Sequence, residues 1–152
     1  MTNEAIQATI TELLPSATFD EGGEWLVVNV APEEWKQLAL HLRNDPTLSM
    51  DYLYCVTCVD WKTHLSMVYH LSSTIFRHTI VVKSKLDAAE PVIDTVSDIW
   101  QTANFNEREA YEMFGVQFRN HPDLRLLILP DGWEGKRPML KDFEDPVNMI
   151  RL

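Results

Sequence analysis

An α+β fold, with helices packed on one face of a mainly antiparallel sheet and a long extended C-terminal arm, is what this sequence predicts. Three observations carry it. Consecutive strand-like runs between residues 51 and 83 are joined by short polar turns, amphipathic segments lie on either side of them, and periodicity is lost after Gly115.

Taken in order, Asn3 to Leu14 places Ile6, Ile10, Leu13 and Leu14 on one helical face, and Pro15 ends it. Gly22-Gly23 makes a turn before Trp25 to Val30, a strand rich in β-branched residues. Pro32 suits the first turn of a helix whose buried stripe is Trp35, Leu38, Ala39 and Leu42. Strands are expected over Asp51–Trp61, Leu65–Leu71 and Ile75–Lys83. In the last, Phe76, His78, Ile80 and Val82 are expected on one face. Pro91 opens a further expected helix that turns Val92, Val96, Ile99 and Trp100 inward. Asn104 with Glu107 has capping-box spacing, and Gly115 is a natural left-handed stop to the short helix that follows.

Beyond that stop the pattern changes, which divides the chain into a body, residues 1–115, and an arm, residues 116–152. The arm holds four of the eight prolines, and only Leu124–Leu129 reads as a strand. It carries Phe118, Leu126, Trp133, Met139 and Phe143, so it does not read as a disordered tail. Backbone that cannot pair with itself must pair with the body or with another protein, and a docking arm satisfies that demand.

Composition narrows the function. At 152 residues and 45% hydrophobic content the chain fits one domain with a sizeable core. A net charge of −10 argues against nucleic acid or an anionic membrane surface as partner. Residues 1–118 hold 7 Lys/Arg against 17 Asp/Glu, while 119–152 hold 6 of each, so the body is acidic and the arm balanced. No apolar run approaches the roughly 20 residues that span a bilayer, so no direct membrane insertion is expected. Two cysteines without a visible signal peptide point to a reducing compartment, the cytosol.

Cys55-Val-Thr-Cys58 invites a redox or metal reading, but it lies in a strand, where residues three apart face opposite ways. The carboxylates Glu107 and Glu109, clustered with Glu112, invite an acid–base reading, a free-standing carboxylate enzyme using Glu107 or Glu109. However, Glu107 and Glu109 diverge by two helical steps, while Arg108 and Glu112 have the spacing of an ion pair. The histidines show no ligand spacing, and no phosphate-binding or nucleophile motif is present.

The run Asn104-Phe-Asn-Glu-Arg-Glu-Ala-Tyr-Glu-Met-Phe-Gly-Val116 resembles the C-type subunit of respiratory NADH:quinone oxidoreductase, complex I. So do Asn120-His-Pro-Asp-Leu-Arg125, Trp133-Glu-Gly135, Pro138-Met-Leu-Lys-Asp-Phe143 and, upstream, Asp51 to Trp61. The chain departs from the family at Glu112 (usually Asp), at Phe105 (commonly Trp) and at Leu140 (usually Arg), with an extra residue near Lys136-Arg137.

The resemblance implies a peripheral scaffold subunit with no catalytic residue, metal site or cofactor of its own. NAD, FMN, iron–sulfur clusters and quinone would belong to the assembled complex. Its expected partners are the large quinone-site subunit and the subunit holding the terminal cluster, on the cytoplasmic side of the inner membrane. Glu107, Arg108, Glu109 and Glu112 would fix the start of the arm. His121, Pro122, Arg125, Trp133, Lys141 and Asp142 would contact the partners. Equivalent subunits of membrane-bound hydrogenases and related complexes form the alternative.

Overall fold

The computed structural model describes residues 1–20 and 22–149. Helix α1 (Asn3–Leu13) begins where the Thr2 hydroxyl accepts the Ala5 N–H, and it buries Ile6 and Ile10. After strands β1 (Thr18–Asp20) and β2 (Leu26–Val30) comes helix α2 (Pro32–Asn44), with proline in its first turn and Trp35, Leu38, Ala39 and Leu42 buried. Strands β3 (Tyr52–Asp60), β4 (His64–Ser72) and β5 (Thr79–Asp87) form the expected meander. Short β6 (Val92–Asp94), helix α3 (Ala103–Phe114) and β7 (Gln117–Arg119) complete the elements.

The main sheet has the order β1-β2-β5-β4-β3. Its neighbours are antiparallel except β2 and β5, which run parallel because α2, β3 and β4 intervene between them. The chain is thus α+β with a mainly antiparallel sheet, as its pattern predicts. One sheet face supplies Val28, Met67, Tyr69, Val82 and their neighbours to a continuous core with Ile6, Ile10, Trp35, Leu38 and Ala110 of the helices. Among the described residues, no helix is long and apolar enough to cross a membrane.

The structure corrects the sequence in four places. The third meander strand starts at Thr79, not Ile75. Asp51 accepts both the N–H and the hydroxyl of Thr74, and Arg77 takes a positive φ, so this stretch turns. Phe76 is therefore off the strand and exposed. The helix expected after Pro91 is strand β6 plus a turn. Its β-branched residues pair in parallel with β7, and the Val96 carbonyl, accepting from Ile99 and Trp100, closes a turn rather than a helix. Asn104 caps nothing: α3 starts after Thr102, whose hydroxyl reaches the Leu53 carbonyl, while Glu107 is drawn into the core. Leu124–Leu129 forms no strand, for a reason that lies in α3.

The expected boundary at residue 116 also falls inside packed structure. Val116 and Phe118 are buried in the core, and β7 completes the ladder of β6.

Candidate functional site

Helix α3 is where body and arm meet. Trp100 Nε1 donates to the Met50 carbonyl and Thr102 Oγ1 to that of Leu53, so the helix start is tied to the start of β3. The helix closes at Gly115, whose φ of 82° is left-handed. Glycine is required there twice over, because a Cβ would lie 2.3 Å from Nε of Arg137, which crosses the helix end.

Arg108 and Glu112, one turn apart, hold the backbone of the arm. Arg108 donates from Nε to the Arg125 carbonyl (3.1 Å) and from Nη2 to that of Leu126 (2.6 Å). The Glu112 carboxylate accepts the successive N–H groups of Leu127 (2.8 Å), Ile128 (2.9 Å) and Leu129 (3.2 Å). A cation takes the carbonyls and an anion takes the amides, so five consecutive residues are held without forming a strand. The ion pair expected between Arg108 and Glu112 does not form; each charge turns to the backbone instead.

Glu107 faces the other way. Its Oε1 accepts the Val96 N–H (2.8 Å) and its Oε2 the Thr95 hydroxyl. Lys36 donates to the Thr95 carbonyl (2.7 Å) and pairs with Asp98, which holds the same loop from α2. The His121 side chain is fully enclosed, with Nε2 3.7 Å from the Glu107 carboxylate. Its Nδ1 accepts the Asp123 N–H, so Nε2 carries the proton donated to the Asn104 carbonyl. Burial pushes the Glu107 carboxyl up to about 7, against the opposing pull of the Thr95 and Val96 hydrogen bonds.

Further along, the Met139 N–H reaches the Met113 carbonyl (3.0 Å) and the Lys141 N–H reaches Asp60 (2.8 Å). Leu124 and Leu140 pack against the core. At the position where the family pattern has arginine, Leu140 thus makes an apolar contact within the chain.

The candidate residues therefore separate into two groups. Glu107, Arg108, Glu112 and the His121 ring are enclosed and engaged inside the chain, where they can act on a partner only by shaping the arm. Glu109, Pro122, Arg125, Lys141 and Asp142 are exposed, and Trp133 is half-buried beneath the Lys136 ammonium, 4.2 Å from its ring centroid. Arg125 is paired with Asp123 beside it. Glu107 and Glu109 open onto no common cavity, since one is sealed and the other faces solvent. Cys58 is buried on the core face, its thiol pushed up to about 12 by burial, while Cys55 lies on the opposite face.

Sequence reasoning missed Thr95, Val96 and the three arm amides. Four of these five contacts are backbone groups, which leave no mark on side-chain patterns.

Residues 28–147 match the family described as respiratory-chain NADH dehydrogenase, 30 Kd subunit. The C/D-type subunit of an NADH-quinone oxidoreductase from Phocaeicola vulgatus is 39% identical over 127 residues, 82% of this chain and 24% of that protein. The C-type subunit from Chloroherpeton thalassium is 37% identical over 114 residues, 74% of this chain and 47% of the relative. The chain thus spans between a quarter and half the length of these two. The C-type subunit from Roseiflexus castenholzii is 34% identical over 146 residues, 92% of this chain and 83% of its own length. Among solved structures, a chain of the membrane-bound sulfane sulfur reductase, an archaeal respiratory membrane complex, is similar with a TM-score of 0.79 at 27% identity. That match covers 93% of this chain and 85% of the other. A trypsin-resistant fragment of Nqo5 shares the fold, with a TM-score of 0.70 at 24% identity over 81% of this chain and all of the fragment.

Proposed function

The chain belongs to the 30-kDa subunit family of the respiratory-chain NADH dehydrogenase, and we propose that it serves there as a scaffold whose pre-ordered arm docks the quinone-reducing module. In this reading the partners are the quinone-site large subunit and the subunit with the terminal cluster. NAD, FMN, iron–sulfur clusters and quinone are bound by other subunits, and this chain supplies no catalytic residue. The protein lies on the cytoplasmic side of the membrane, attached through its neighbours.

One observation carries the proposal. Arg108 and Glu112 fasten residues 125–129 by their backbone, and part of the arm's apolar surface faces outward: Ile128 is 61% exposed, Met139 58% and Val147 86%. Phe105 of α3 adds to this surface. Such side chains on an immobilised backbone bind with little ordering cost.

The test replaces Ile128 and Met139 together by Asp. The isolated chain should melt as before, because neither side chain is buried, while recovery of the quinone-site subunit on the tagged chain should fall at least about tenfold. Normal assembly of this variant would remove the arm from the interface.

The likeness to the sulfane sulfur reductase complex supports a second reading, a subunit of a related membrane-bound complex with another electron donor. Chains co-purifying with the wild-type protein separate the two, through the presence or absence of a flavin-bearing NADH subunit.

A further inference from the structure

Glu107 is sealed in the core and takes no part in the clamp that holds the arm, yet near neutral pH it stands between its two protonation states. A buried carboxyl holds a proton only if its O–H finds an acceptor, and releases one only by a path to water. Oε1 accepts the Val96 N–H, which leaves Oε2 as the oxygen for the proton. Oε2 meets the Thr95 hydroxyl. The His121 ring, 3.7 Å away, cannot accept from it: Nε2 already carries a proton given to the Asn104 carbonyl, and Nδ1 accepts the Asp123 N–H. The Tyr69 hydroxyl of β4 makes no hydrogen bond among the described residues, so it does not join this network.

Thr95 is fixed by its backbone. Its N–H donates to the Arg119 carbonyl of β7 (3.0 Å) and its carbonyl accepts from Lys36 of α2 (2.7 Å), which holds the hydroxyl against Glu107. Thr95 Oγ1 meets three groups: the Glu107 carboxyl, Ser97 Oγ at 2.8 Å and the Ser97 N–H at 3.1 Å. A hydroxyl donates once and accepts twice, so these contacts fill it in either of two arrangements. With Glu107 ionised, Thr95 donates to the carboxylate and accepts both the N–H and the O–H of Ser97. With Glu107 protonated, Thr95 accepts the carboxyl O–H and the Ser97 N–H, and donates to Ser97 Oγ. Each contact survives; the two hydroxyl bonds reverse direction. Ser97 is the outer end, 8% exposed against 3% for Thr95 and 0% for Glu107. No fixed charge pins Glu107 in one state. Lys36 and Asp98 pair with each other and act on it in opposite senses, while Arg108 and Glu112 are turned to the arm. Burial, and then this carboxylate, keep the Tyr69 phenol well above its ordinary value and so protonated.

We propose that Thr95 and Ser97 form a two-way hydroxyl relay that carries the Glu107 proton between the core and the surface. On loading, a proton from water joins Ser97 Oγ, the former Ser97 hydrogen passes to Thr95 Oγ1, and the former Thr95 hydrogen passes to Glu107 Oε2. Each hydroxyl oxygen ends neutral with one hydrogen, and unloading runs the same transfers backwards. Ser97 thus offers the surface a lone pair when Glu107 is ionised and a free O–H when it is protonated. The outside of the chain reads the charge state of the core while the arm stays closed. The relay uses none of the arm's exposed residues and is independent of the docking role.

Infrared difference titration of the full chain against Glu107→Gln isolates the C=O band of the protonated Glu107 carboxyl. In the wild type this band should fade with a midpoint near pH 7. Ser97→Ala leaves the Thr95 hydroxyl without an acceptor in the protonated arrangement alone. Its midpoint should therefore fall by about one pH unit, with unchanged circular dichroism. Thr95→Val removes the donor to the carboxylate and should raise the midpoint, whereas Thr95→Ser keeps the hydroxyl and should leave it in place. An unmoved midpoint in Ser97→Ala would overturn the relay. So would a wild-type midpoint in the ordinary carboxyl range, since Glu107 would then hold no proton to carry. A rise in Thr95→Ser equal to that in Thr95→Val would assign the effect to packing and remove the hydroxyl from the account.

Discussion

At Glu107 a carboxylate is enclosed by Thr95, the Val96 amide and the His121 ring, with Lys36 and Asp98 beyond and the buried Tyr69 phenol raised by burial and then by this same carboxylate. Among the described residues no Lys or Arg touches it, so burial dominates and its folded value of about 7 lies above the ordinary 4.5. The unfolded chain therefore releases this proton near 4.5, whereas the folded chain keeps it until about 7. Between those values the folded state binds more protons, so this group's contribution to stability falls as pH rises and is level above about 7. Glu107→Gln, which keeps the shape and cannot titrate, should remove that slope. Urea unfolding of both proteins from pH 4.5 to 7.5 should show the wild type losing roughly 3 kcal/mol relative to the variant. Parallel curves would mean that the carboxylate is solvated or paired with a charge.

The arm's root depends on one helix reading another segment's backbone. Glu112→Ala leaves three amides of residues 127–129 without their acceptor. Hydrogen bonds to a charged group contribute about 1.5–3 kcal/mol each in favourable cases, though less where water can replace the acceptor. Local opening of the arm should become at least about tenfold easier, seen as faster tryptic cleavage at Arg125 with only a small drop in the melting temperature of the body. Unchanged cleavage would show the arm to be held elsewhere. This contact also explains what the sequence revealed and what it hid. The meander and helices α1 and α2 were legible because their apolar residues repeat at the period of their own backbone. The run Leu124–Leu129 reads as a strand on the same logic, but Glu112 captures the amides that a ladder would need. Val92, Val96 and Trp100 imitate a helical stripe, although they lie on a strand and a turn and only Val96 and Trp100 are buried. At the candidate site, the Glu-Arg-Glu motif marked the right helix. Which side chain is sealed and which exposed depended on packing against loops distant in sequence.

At the scale of the whole molecule, the division between body and arm decides what a truncated chain does. A cut after Val116 removes β7, leaves β6 without its ladder and exposes the core around Phe118. Loss of that one aromatic ring from the core is worth about 3–5 kcal/mol, a large share of the 5–15 kcal/mol that holds a domain folded. A cut after Asn120 keeps β7. It removes the segment that covers Arg108 and Glu112, so both charges pass into water instead of remaining buried without partners. Glu107 loses only His121, and its bonds to Thr95 and Val96 remain. The chain 1–120 should therefore unfold cooperatively at a reduced melting temperature and fail to recover the quinone-site subunit. The chain 1–116 should lose cooperative unfolding or melt far lower still. Calorimetry of the two truncations beside the full chain measures the difference. Equal melting of the two would place the end of the body at Gly115, where periodicity alone would put it, and would make β7 part of the arm.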